Sequence, residues 1–182
     1  MSATLRVLLL LVLLDGGGSG ASESVHSLDI AFDKEAVAHV HALLELSATR
    51  DTVVRVLTDY AHWPMLFAEG MTIVGIRHEP DGVITDMYLP RAVVPGTIHL
   101  VIRTRVANSG QIDAELMSGD LKRFWRRWQL TPLSAGRRTR AELEMTIQPK
   151  GWAPQWLVRY GIETELRDHF HRLETVLESR ER

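Results

Sequence analysis

Between Ala38 and Leu46 the chain places an apolar residue at every second position: Ala38, Val40, Ala42, Leu44 and Leu46 alternate with His39, His41, Leu43 and Glu45. That is the period of a strand with one face turned to a core. The period then lengthens. Thr49 can cap the free amides of a helix start, Asp51 suits the positive end of the helix dipole, and Val53, Val54, Val56 and Leu57 form an apolar stripe. Pro64 restricts Trp63 and is expected to end that helix, with a second short helix over 65–68 stopped by Gly70. Six strands are expected next, over 71–78, 83–89, 97–107, 111–117, 123–133 and 138–148. The turns Pro80-Asp81-Gly82, Asn108-Ser109-Gly110 and Ser134-Ala135-Gly136 join them in pairs, so the six read as an antiparallel meander. The last element is a helix. Pro154 suits its first turn, and Leu166, Phe170, Leu173 and Leu177 recur at helical spacing as one inward stripe. In its first half Trp152, Trp156, Leu157 and Tyr160 crowd around Gly161, where a bend or a loss of packing is expected.

Composition narrows the chemistry. The chain has 182 residues, 45% hydrophobic and 24% charged, ordinary for a single globular domain with its own core. It has no cysteine, which excludes disulfides, thiolate zinc sites, iron–sulfur clusters and a cysteine nucleophile. A formal charge of −2 makes nucleic acid an unexpected partner. Residues 1–21 read as a secretory signal: Arg6 is a weak positive start, Val7 to Leu14 an apolar run too short to span a bilayer, and Ser19-Gly20-Ala21 a small-residue cleavage site. Export, to a periplasm or out of the cell, is therefore expected, followed by a surface lead-in over 22–35 and one domain over 36–180.

Strand, two short helices, six strands and a long helix make an α+β arrangement in which a curved sheet must bury its apolar face against the final helix. In that order stand Val54 to Met71, VRVLTDYAHWPMLFAEGM, with Asp59-Tyr60 and Trp63-Pro64, and Gly119 to Leu133, GDLKRFWRRWQLTPL. From about Val37 to Leu177 the chain resembles the START-like superfamily, which groups polyketide cyclase and dehydrase relatives, coenzyme Q binding proteins and pollen-allergen-type carriers. The resemblance implies a helix-grip fold: a seven-stranded antiparallel sheet wrapped around a long C-terminal helix, with two short helices between strands 1 and 2. It also implies an apolar cavity for a lipid, an isoprenoid or a polyketide. Relatives often carry a small residue two positions before the tryptophan that corresponds to Trp128; this chain has Arg126 there.

Alternation assigns Ile98, Leu100 and Ile102, Ile112, Ala114 and Leu116, Phe124, Arg126, Trp128 and Leu130, and Ala141, Leu143, Met145 and Ile147 to the concave face. Pattern alone leaves two readings, a solid core against the helix or a lined cavity, and the resemblance favours the cavity. An empty void of about 300 Å³ would cost about 7 kcal/mol, so such a space calls for a guest. The ligand-binding set expected on that basis is Trp63, Phe67, Met87, Leu100, Arg126, Trp128, Met145, Trp156, Tyr160 and Phe170. Arg126 either holds a polar headgroup or is turned outward or paired with Asp86. Trp63, Phe67, Trp152, Trp156 and Tyr160 either rim the cavity mouth, in reach of a membrane surface, or pack as ordinary core. Lys122, Arg123, Arg127, Arg137, Arg138 and Arg140 either meet anionic headgroups or form a solvated hairpin face.

Catalytic signatures are sparse. His39 and His41 share a strand face without an identifiable third ligand, His169 and His171 point to separate sides of a helix, and His99 falls on an outward face. Neither metal nor cofactor is expected. The chain thus reads as a binder, with transport as an extension of binding, of a hydrophobic small molecule such as a lipid or isoprenoid quinone. The alternative is a polyketide cyclase or dehydratase acting in the same cavity, with Asp86, Tyr88 and Arg126 as first suspects; a surface-interaction module using the Trp-rich rim is a third class.

Overall fold

A computed structural model describes residues 25–67, 70–91 and 95–180; the expected signal segment lies outside them. The strands are β1 (Val25–Phe32), β2 (Ala38–Leu46), β3 (Thr72–Glu79), β4 (Gly82–Pro90), β5 (Thr97–Val106), β6 (Gln111–Gly119), β7 (Leu121–Leu133) and β8 (Arg138–Pro149). They form one antiparallel sheet in the order β1-β2-β8-β7-β6-β5-β4-β3. Strands β3 to β8 are the expected meander, and β2 closes on β8 with Ala42 opposite Leu143. The helices are α1 (Arg50–Leu57) and α2 (Gln155–Arg180), with a 3₁₀ turn over Tyr60–Met65 and a shorter one over Ser134–Gly136. This is the helix-grip arrangement.

The sheet has eight strands rather than seven. The expected lead-in is strand β1, which places Leu28, Ile30 and Phe32 opposite Ala42, Val40 and Ala38 and so extends the face beneath α2. Its alternation with Ser27, Asp29 and Ala31 is a strand signal, short enough to pass as irregular.

Two helix boundaries also differ. The α1 cap is as expected, with the Thr49 hydroxyl accepting from the Thr52 amide, but the helix ends at Leu57, well before Pro64. The second helical turn comes earlier than 65–68 and contains Pro64 instead of following it. A 3₁₀ turn tolerates proline there because few of its amides need an internal partner. At the other end α2 runs unbroken through Gly161, and the Pro154 carbonyl accepts from the amides of Leu157 and Val158.

The Asp59-Tyr60 and Trp63-Pro64 segment works as a tether. Trp63, 2% exposed, donates its indole N–H to the Leu57 carbonyl at 3.1 Å and meets Tyr60 edge-on at 5.0 Å. Asp59 accepts from His62 and, at 3.2 Å, from Arg180 near the end of α2; these two partners hold its carboxyl below the usual range, His62 most strongly.

Bulges bend the sheet. Between β5 and β6 the register shifts at Val101/Ile102, leaving Met117 as the extra residue and Gly119 opposite Leu100. Gly119 takes φ +133, and a Cβ there would stand 2.3 Å from the His99 carbonyl oxygen, so only glycine fits.

Candidate functional site

The concave face is the one the alternation assigned. Trp128 meets Phe170 of α2 edge-on at 6.1 Å, and register then carries the same face through Arg126, Ala114 and Thr104 to Val83, Thr85 and Met87. Burial along it is graded. At one end Leu130, Ala141, Leu143 and Leu173 are fully enclosed. In the middle Leu100, Met145, Ile162 and Leu166 keep a small residual exposure, and at the other end Leu89, Ile98, Leu116, Phe124 and Ile147 are only half-buried. The grip is tight around the second half of α2 and loose around the first.

Where the two regimes meet, five rings form a connected cluster, and one of them carries a guanidinium over its face. The guanidinium carbon of Arg126 lies 5.7 Å from the centre of the Trp63 ring. Trp63 meets Phe67 at 5.9 Å, Phe67 stacks on His169 at 4.5 Å, and His169 lies 6.3 Å from Trp128. Trp63, Phe67, Arg126, Trp128 and Phe170 of the expected set are therefore brought together, with Met145 as register partner of Arg126 and with Met87 and Leu100 paired beside them on the same face.

Polar atoms in this cluster lack partners. The Nε of Arg126, Nε1 of Trp128 and Nε2 of His169 touch neither solvent nor a hydrogen-bonding group among the described residues. Each such orphan costs about 1–3 kcal/mol. Burial pushes Arg126 down to about 10, with Tyr60 pulling the other way, so it stays charged at neutral pH although the side chain as a whole is only half-buried. His169 is pushed down to about 4, chiefly by burial and further by Arg126, against the Leu66 hydrogen bond and Asp168. Its Nδ1 donates to the Leu66 carbonyl at 2.7 Å, which fixes a neutral ring with a lone pair on Nε2. Tyr60 is pushed up by burial, opposed by Arg126.

Sequence reasoning had set His169 aside as one of a separated pair. It falls between Leu166 and Phe170 on the buried stripe, and that phase was the available signal. Tyr60 stood in the motif without a role.

Two expectations are corrected. Trp156 and Tyr160 do not join the cluster: Val158 and Ile162 take the inward phase of α2, so the two rings turn out and are 69% and 57% exposed. With Arg159 and Glu163 they line an open groove of about 410 Å³, and Arg159 lies over Phe32 of β1 at 5.7 Å. A second, narrow cleft of about 10 Å³ lies between α1 and the end of α2. Second, Asp86 is no partner for Arg126. It alternates with the buried Thr85 and Met87, so it and Tyr88 face the convex side, where Asp86 accepts from His99 at 2.7 Å and Tyr88 stacks on that imidazole. Neither can act on a ligand in the concavity. Of the two readings of the basic hairpin, its ion pairs favour the solvated face: Arg123 pairs with Glu35, Arg127 with Asp113, and Arg138 and Arg140 with Glu45.

His39, exposed, donates to Asp33, and among the described residues no three His, Asp or Glu side chains are placed to hold a metal ion. No described helix is long and apolar enough to cross a membrane.

Known proteins offer three comparisons. No curated protein matches by sequence. Among solved structures, the chain is similar to a START superfamily protein from Mycobacterium smegmatis, 17% identical, TM-score 0.62, over 78% of this chain and 97% of that one. It is similar also to the Zhui aromatase/cyclase from Streptomyces sp. R1128, 15% identical, TM-score 0.68, over 80% and 96%. A conserved protein from Geobacillus kaustophilus is 15% identical, TM-score 0.63, over 78% and 95%. At these identities the likeness is one of fold. A family model described as polyketide cyclase / dehydrase and lipid transport matches residues 46–174, which take in the tether, the meander and most of α2. The chain belongs to this polyketide cyclase / dehydrase and lipid transport family.

Proposed function

We propose that this protein binds a hydrophobic small molecule of lipid or isoprenoid size between the concave sheet and the first half of α2, and that it carries the molecule rather than transforming it. The observation that supports this most is the graded burial. Leu89, Ile98, Leu116, Phe124 and Ile147 form an apolar wall that the protein leaves half-covered, beside a fully closed core that shows the same sheet can pack tightly. A guest covering about 400 Å² of apolar surface there gains on the order of 10 kcal/mol before association costs, consistent with micromolar binding.

The carrier reading is favoured over cyclase chemistry by the titratable groups. Asp86 and Tyr88 face away, and among the described residues Arg126 and His169 of the concave cluster have no carboxylate hydrogen-bonded to them. Passage between membranes is part of the proposal. Trp152, Trp156 and Tyr160, 90%, 69% and 57% exposed, are the kind of side chain that settles at a lipid–water boundary; Trp156 and Tyr160 stand on the half of α2 that the sheet grips loosely, and Trp152 lies just before it. Export by the N-terminal segment is proposed with it; cleavage near Ser22 would leave β1 whole.

The test is titration of the full chain with N-phenyl-1-naphthylamine, a neutral probe that brightens in apolar surroundings. Saturable one-to-one binding, weakened at least tenfold by Leu100→Arg in a variant that keeps its circular dichroism, is expected. A folded wild type without saturable uptake overturns the proposal.

A further inference from the structure

The groove on the outer side of α2 carries charge as well as rings. Trp156 and Tyr160 are four residues apart, as are Arg159 and Glu163, so all four fall on one side of the helix, where they line the open groove of about 410 Å³. The Arg159 guanidinium lies over the Phe32 ring of β1 at 5.7 Å, and among the described residues it forms no ion pair. Glu163, by contrast, is held by Arg167 at 2.9 Å. Two exposed aromatic faces, one uncommitted cation and a carboxylate already paired complement a group with a negative and a positive end. The negative end suits the arginine and the positive end suits the rings.

We propose, resting on the membrane contact in the function above, that this groove recognises the phosphocholine headgroup of a bilayer. The phosphate accepts from Arg159, and the quaternary ammonium lies against the Trp156 and Tyr160 rings, with the Glu163 carboxylate in the same groove. A primary ammonium is a poorer match, because it is strongly hydrated and calls for acceptors that ring faces do not supply. A purely anionic headgroup offers phosphate to Arg159 but nothing to the rings. The arginines that could add general attraction to an anionic surface, Arg123, Arg127, Arg138 and Arg140, are already held in ion pairs.

The experiment cosediments the full chain, at about 0.15 M salt, with vesicles of phosphatidylcholine, of phosphatidylglycerol, and of phosphatidylglycerol mixed equally with phosphatidylcholine or with phosphatidylethanolamine. Phosphatidylcholine should bind about fivefold more tightly than phosphatidylglycerol, and the choline mixture about fivefold more tightly than the ethanolamine mixture at the same surface charge. Arg159→Gln and Trp156→Leu, which removes the ring and keeps an apolar side chain, should each erase most of that preference. Arg159→Gln should still take up N-phenyl-1-naphthylamine as the wild type does, which shows that it is folded. Equal binding to the two mixtures, tighter binding to phosphatidylglycerol, a choline preference that survives both substitutions, or no vesicle binding at all overturns headgroup recognition, and with intact probe uptake leaves ligand binding standing. Absent probe uptake beside an intact choline preference overturns the ligand-binding function and supports the headgroup site.

Discussion

The Nδ1 of His169 lies 2.7 Å from the carbonyl oxygen of Leu66, a buried hydrogen bond that ties the middle of the terminal helix to the segment just after the 3₁₀ turn. It sets the tautomer of an imidazole buried in the core and leaves its second nitrogen without a partner among the described residues. It also makes stability depend on pH. The folded-state pKa of about 4 lies below the ordinary 6.5, so the unfolded chain binds the proton more readily. The contribution is complete above pH 6.5 and is lost as pH falls toward 4, amounting to about 3 kcal/mol. Urea denaturation from pH 7 to pH 4 should show this slope in the wild type, and His169→Gln should flatten it by that amount. Identical slopes in the two proteins would mean that His169 is not buried in the neutral form.

Trp63 is expected to be among the most costly side chains to remove. It is buried, packs on Tyr60 and Phe67, and satisfies the Leu57 carbonyl, so Trp63→Ala should destabilise by about 3–5 kcal/mol. Trp63→Phe keeps most of the packing and loses the hydrogen bond, for about 1–3 kcal/mol. Chemical denaturation of both variants orders the two effects; equal losses would assign the whole role of Trp63 to its indole N–H.

Gly119→Ala should cost about 1–3 kcal/mol, because the new Cβ would stand 2.3 Å from the His99 carbonyl in a backbone conformation that other residues rarely adopt. Gly151→Ala is the control: nothing lies within 4 Å, and thermal melting should change little. A neutral Gly119→Ala would show that the β5–β6 bulge is not fixed by that glycine.

Replacing Trp152, Trp156 and Tyr160 together by serine should leave stability nearly unchanged, since all three are exposed. Cosedimentation with phosphatidylcholine vesicles should fall severalfold. Vesicle binding that survives the triple substitution would remove α2 from the proposed membrane contact.

The meander was legible because its strands alternate cleanly and its turns carry Gly and Asp at the positions that bend; β2 alternates without a fault from Ala38 to Leu46. Strand β1 was missed because only Leu28, Ile30 and Phe32 mark it, although it pairs with its neighbour β2 in a local hairpin from Phe32 opposite Ala38. In the site, the residues that alternate on strands, Leu100, Arg126, Trp128 and Met145, were placed on the correct face by periodicity alone. Trp156 and Tyr160 were expected beside the others from the resemblance, which says nothing of helix phase, and the phase set by Val158, Ile162 and Leu166 turns those rings outward, away from the cluster. His169 was passed over because its role rests on a contact with Leu66 about a hundred residues away, and on lacking a second partner, neither of which a spacing can reveal.

The central claim is that the loosely gripped half of the fold houses an apolar guest. The most direct measurement is organic-solvent extraction of the folded, purified full chain, with mass spectrometry of the extract against a mock purification. A neutral, largely apolar compound recovered at a substantial fraction of the protein's molar amount is the predicted result. An extract indistinguishable from the mock, from protein that also fails to take up such compounds when supplied with a lipid extract, would contradict it.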